Sequence, residues 1–70
     1  MAIKKTMSIV LSSVEIDALE ALARDKDVSK TAIIRQAIRL YQIINTRIKS
    51  GDKIFIEQDQ DKEKVEVVLL

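Results

Sequence analysis

Between Thr6 and Ser12 the apolar side chains Met7, Ile9 and Leu11 fall on alternate residues, with Thr6, Ser8 and the smaller Val10 between them. A two-residue period sends the two sets to opposite faces, which predicts a strand buried on one side only. The period then lengthens. Ile16, Leu19, Leu22 and Ala23 recur at helical spacing, while Glu15, Asp17, Glu20 and Arg24 lie off that stripe, predicting a helix from about Ser13 to Lys26. Ser12 and Glu15 have capping-box spacing, in which hydroxyl and carboxylate each satisfy an N–H left free by the first turn. Asp27 is placed to end the helix, because a short polar side chain tolerates the left-handed backbone.

Ser29 is the natural N-cap of a second helix. Its apolar stripe runs through Ile34, Ala37, Ile38, Tyr41, Ile44 and Ile48, broadened by Ile33, Leu40 and Ile43. A stripe this wide predicts burial on more than one side. Lys49, Ser50 and Gly51 supply the stop, with a cation in the last turn and glycine at the left-handed position. Beyond them KIFIE and KVEVVLL flank the polar run QDQDKE, predicting a hairpin of Lys53–Glu57 and Lys64–Leu69 with an acidic turn. The expected order is strand, helix, helix, hairpin, divided into a core of residues 1–50 and an extension of residues 51–70.

Length changes the picture. A 70-residue chain covers only roughly 60% of the surface its unfolded form exposes, so chains of this size lean on disulfides, a metal or a partner. With no Cys and no His, the third remedy is expected, and no cofactor is. The 47% of apolar residues can supply an interface between copies.

The net charge of +1 hides an asymmetry. Residues 1–50 hold nine cations against five anions, whereas residues 51–70 hold three against six. A basic body points to a polyanionic partner. Catalysis has little to draw on, since the usual general base, thiol nucleophile and zinc ligands are missing. The single glycine excludes glycine-rich phosphate loops, and the reading is that this is not an enzyme. The MSIVL run is too short, and the acids from Glu15 onward follow too soon, for a cleavable signal. No stretch reaches the roughly 20 apolar residues of a membrane span. The expectation is a cytoplasmic protein without a membrane partner.

A lone N-terminal strand carries a row of N–H and C=O groups that need partners. Either the tail hairpin folds back onto it, giving a three-stranded α+β monomer, or it pairs with its copy from a second subunit. A two-stranded antiparallel ribbon fits the major groove of DNA. The ordered combination KKTMSIVLS, SSVEIDALEALA and VSKTAIIRQAI resembles the ribbon-helix-helix family, the MetJ/Arc/CopG superfamily, with CopG-like members nearest, over about Lys4 to Tyr41.

The resemblance implies a mainly α fold with a short N-terminal β-strand, assembled as an intertwined β-α-α homodimer, with the C-terminal hairpin outside the shared core. It implies that Thr6, Ser8 and Val10 face the bases of double-stranded DNA. Lys4, Lys5, Ser29, Lys30 and Thr31 match positions that hold phosphates. Met7, Ile9, Leu11, Leu19, Leu22, Ile34, Ala37, Ile38 and Tyr41 match the dimer core. The function it implies is sequence-specific DNA binding by a transcriptional repressor or a plasmid or phage copy-control regulator. An antitoxin whose C-terminal segment binds a toxin, and a protein-interaction module that never touches DNA, stand as alternatives. Asp27 departs from the glycine that CopG-like relatives often carry between the helices. With few aromatic residues, base stacking on single strands is disfavoured.

Overall fold

The computed structural model describes residues 3–69. Two helices, α1 (Ser13–Lys26) and α2 (Lys30–Lys49), precede two strands, β1 (Ile54–Glu57) and β2 (Lys64–Val67). The chain divides into two units, one ending at Ile33 and the other starting at Ile34.

In the first unit α1 begins and ends where the residue pattern places it. Ser12 is extended at φ −68°, ψ 163°. Its Oγ accepts the Glu15 N–H at 3.2 Å, and its own N–H donates to Glu15 Oε1 at 2.9 Å. Two donors that the first turn leaves unpaired are thereby satisfied. At the other end Asp27 turns left-handed, at φ 53°, ψ 48°. The Val28 N–H reaches back to the Ala23 carbonyl at 3.1 Å and the Asp27 N–H to that of Arg24 at 3.2 Å, the closure that stops a helix and reverses the chain. Only Val28 and Ser29 separate Asp27 from the first residue of α2.

Residues 3–12 belong to no helix or strand. The strand expected over Thr6–Ser12 forms no ladder in the single chain. The reason lies in its partners: among the described residues, the only sheet has two strands, β1 and β2, and they pair with each other. The back-folded, three-stranded monomer is therefore not the arrangement adopted. What the N-terminal segment lacks is a second strand.

In the second unit α2 runs to Lys49 and closes in the same manner as α1. The Gly51 N–H donates to the Ile48 carbonyl at 3.0 Å and the Asp52 N–H to that of Arg47 at 3.0 Å, with Gly51 at φ 92°, a conformation that a Cβ penalises. Arg47 Nε and Asp52 Oδ2 pair at 2.7 Å across this turn. The hairpin then sets Ile54 opposite Val67, Phe55 opposite Glu66, Ile56 opposite Val65 and Glu57 opposite Lys64. One face is thus wholly aliphatic, with Ile54, Ile56, Val65 and Val67. The other carries Phe55, Glu57, Lys64 and Glu66, with the Glu57–Lys64 pair matched in charge. The acidic turn is closed by the Lys62 N–H on the Gln58 carbonyl at 3.0 Å and by the Glu63 N–H on Asp61 Oδ1 at 3.0 Å, with Lys62 at φ 58°.

Burial is where a single copy falls short. Among the described residues Ile33, 8% exposed, is the one buried hydrophobic side chain. Met7 is 76% exposed and Ile38 59%. The broad stripe of α2, expected to be covered on more than one side, is largely open in one chain. Apolar surface removed from water is the main favourable contribution to folding, and one copy alone removes little.

Candidate nucleic-acid interface

The start of α2 gathers the first set of groups. Ser29 Oγ accepts the Ala32 N–H at 3.0 Å, and the Ser29 carbonyl accepts the Ile33 N–H at 3.1 Å. The next N–H groups, those of Lys30 and Thr31, precede the first intrahelical bond and point outward at the positive end of the helix dipole. An open cleft of about 510 Å³ is lined by Glu20, Ala23 and Arg24 of α1, then Val28, Ser29, Lys30 and Thr31. Lys30 Nζ stands 3.5 Å from Glu20 Oε1, both side chains being well exposed. An exposed pair of this kind is weak. An incoming anion can therefore take the ammonium from Glu20 at small cost and meet Arg24 on the same wall.

Ser29, Lys30 and Thr31, singled out in the sequence, are thus brought together by the structure. Arg24 and Glu20 are additions. Their approach to Lys30 depends on how tightly the chain reverses at Asp27, and residue spacing carries no signal of that. In the sequence Arg24 reads as one more solvated cation.

The second set lies on residues 3–12. Lys4, Lys5, Thr6, Ser8 and Val10 are all exposed. Met7 and Ile9 are exposed as well, while Leu11 is half-buried. Up to Leu11 the segment joins no helix or strand, and it presents short hydroxyl side chains and the exposed apolar side chains of Met7 and Ile9. Of the remaining core candidates, Leu19 is half-buried, whereas Leu22, Ile34, Ala37, Ile38 and Tyr41 are exposed in one copy. Within the capping box, the Ser12 backbone N–H first and its hydroxyl second hold the Glu15 carboxyl below its ordinary value of 4.5, since both stabilise the ionised form.

Among the described residues no group of His, Cys, Asp and Glu side chains could hold a metal ion, and no helix is long and apolar enough to cross a membrane.

A free N-terminal segment, a tight helix–turn–helix and an anion-ready second helix stand in one order along the chain. The family model for ribbon-helix-helix proteins of the copG family matches residues 5–42, more than half of the chain. The chain belongs to the ribbon-helix-helix family. No curated protein and no solved structure matches it. Ribbon-helix-helix proteins are DNA-binding regulators, typically dimeric and without enzymatic activity. The matched span takes in Lys5, the whole Thr6–Ser12 segment and the cleft at the start of α2. Lys4 and the hairpin lie outside it.

Proposed function

We propose that this ribbon-helix-helix protein is a homodimeric repressor that inserts an antiparallel ribbon into the major groove. Two copies of Thr6–Ser12 pair, so that Met7, Ile9 and Leu11 seal a shared core with Leu19, Leu22, Ile34, Ala37, Ile38 and Tyr41. Thr6, Ser8 and Val10 then face the bases. The hydroxyls accept or donate to base edges, and Val10 offers apolar contact suited to a thymine methyl. Ser29, Lys30 and Thr31 hold a phosphate at the start of α2, where free N–H groups and the helix dipole favour an anion. Lys4 and Lys5 add backbone contacts. In this reading residues 1–50 bind DNA and dimerise, and residues 51–70 form a separate extension.

The observation that carries the reading is the state of residues 3–12. Residues 3–11 join no helix or strand and leave Met7 and Ile9 exposed in one copy, and from Lys5 onward they lie within the span matched to the family. Phosphate contacts supply affinity and orientation, whereas base contacts supply choice. Small side chains make the choice modest, so dimers side by side on repeated sites are the expected mode of operator cover, and repression follows from blocking polymerase.

Mobility-shift titration against host DNA fragments over a range of salt tests this. Affinity should fall steeply with salt as counterions are released from neutralised phosphates. Lys30→Ala should weaken binding to every sequence alike and flatten the salt slope, while Ser8→Ala should change which fragment is preferred. Absence of any shift at low salt removes the repressor reading and leaves a protein-interaction module or a toxin-binding antitoxin. Co-purification of a small toxin with the native protein would then single out the antitoxin.

A further inference from the structure

We infer that β1 is a second self-association element, pairing edge to edge with β1 of another copy about a two-fold axis through Phe55. An isolated two-stranded hairpin is marginal in water, and stability normally needs a third strand or a packed face. Here both edges are open and the sheet stops at two strands among the described residues.

The free edge can be read from the ladder. The Gln58 N–H donates to the Glu63 carbonyl at 2.7 Å, continuing the register that sets Ile56 opposite Val65 and Ile54 opposite Val67. Bonded and non-bonded pairs alternate in an antiparallel ladder. Gln58, Ile56 and Ile54 therefore bond inward to β2, and the peptide groups of Lys53, Phe55 and Glu57 face the open edge.

The sequence along that edge is its own complement. Placing Lys53-Ile54-Phe55-Ile56-Glu57 antiparallel to its copy about Phe55 sets each Lys53 opposite a Glu57, each Ile54 opposite an Ile56, and Phe55 opposite itself. The groups facing the edge are the ones that this register brings into hydrogen-bonded pairs. Each Glu57 then lies between Lys64 of its own hairpin and Lys53 of the copy. Both aliphatic faces merge on one side of a four-stranded sheet.

The edge of β2 fits less well. Its outward groups are those of Lys64 and Glu66, and a two-fold axis through Glu66 sets that carboxylate against itself. An axis through Val65 sets Lys64 opposite Glu66 but brings the Glu63 carboxylate opposite the aliphatic Val67, a mismatch that the β1 register lacks. Pairing through β1 is isologous and closes on itself, which turns an aggregation-prone edge into a defined interface.

The absence of cysteine gives a clean test in the full chain. Opposed residues of a bonded antiparallel pair have Cα atoms about 5.5 Å apart, within disulfide range. Under mild oxidation Phe55→Cys should form a covalent pair about tenfold faster than Ile54→Cys, Ile56→Cys or Val65→Cys. Equal rates, or a fastest rate at Val65, would overturn the proposal. So would a hairpin that couples to no copy of itself, including one that takes up a strand of another protein.

A charge test keeps Phe55 intact. Lys53→Glu gives an edge with two acids. Glu57→Lys combined with Lys64→Glu gives one with two bases and preserves the opposite charges across the hairpin. Native mass spectrometry of the mixed variants should show heterotypic species above their statistical share; a statistical distribution contradicts the pairing.

Discussion

Asp27 holds a left-handed backbone, at φ 53° and ψ 48°, which a side chain makes costly and glycine adopts freely. Asp27→Gly should therefore stabilise the protein by about 0.5 kcal/mol and Asp27→Val destabilise it by more than that, as read from denaturant midpoints. At the opposite end of α1, Ser12→Ala removes the cap and should cost about 1 kcal/mol in the same measurement. Glu15 adds a dependence on pH. Its pKa is lowered in the folded state by the Ser12 N–H and hydroxyl, so the folded protein favours the ionised form. That contribution is complete above the ordinary value of 4.5 and is lost as pH falls through the lowered folded value. Stability curves of the parent and Glu15→Gln should accordingly converge on acidification and separate above that value. Ser12, Glu15, Asp27 and Ser29 were legible in the sequence because each acts on groups within about five residues, where spacing fixes geometry. The Glu20–Lys30 pair was not, since it spans the chain reversal.

That pair belongs to the scale of elements. Glu20 of α1 sits 3.5 Å from Lys30 of α2 and, in the proposed DNA complex, competes with phosphate for the ammonium. Glu20→Gln should raise DNA affinity several-fold at low salt, with the gain shrinking as salt screens the cleft. Measured binding unchanged at every salt concentration would mean that Lys30 does not meet the backbone. The helix ends also show how elements are punctuated. Gly51 has open space where a Cβ would stand and a φ of +92°, so the cost of Gly51→Ala, about 1 kcal/mol, comes from backbone conformation alone. The two helices and the hairpin were readable from their periods, with the strands of the hairpin one to two residues shorter than expected at one end each. The N-terminal segment was readable as a half-buried strand from its alternation, yet it forms no ladder in one copy. A period of two specifies which faces differ. It cannot supply the neighbouring strand.

At the scale of the whole molecule, the exposure of Met7 and Ile9 and of the α2 stripe, with Ile33 alone buried among the described residues, leaves one copy without an adequate core. Folding coupled to assembly makes stability depend on concentration. The melting temperature should rise as the protein is concentrated, and a concentration-independent transition would contradict an obligate dimer. Ile9→Ala, at the centre of the proposed ribbon, should cost about 3 kcal/mol per copy and weaken association and DNA binding together. Ser8→Ala, one residue away on the opposite face, should leave the melting curve nearly unchanged. The contrast separates a groove-facing residue from a core-facing one.

The local rules were settled by the sequence: where each helix starts and stops, which strand faces are apolar, and that no cysteine is present to form a disulfide. These follow from hydrogen bonds and side-chain periods spanning a few residues, so order along the chain determines them. Only the tertiary structure decided that the hairpin pairs with itself and leaves Thr6–Ser12 without a ladder. It alone drew Glu20 and Arg24 to the start of α2, and it alone left the peptide groups of Phe55 and Glu57 on an open edge. Those outcomes join residues far apart in the chain, and they depend on turn geometry and on which competing partner closes at the lower free energy.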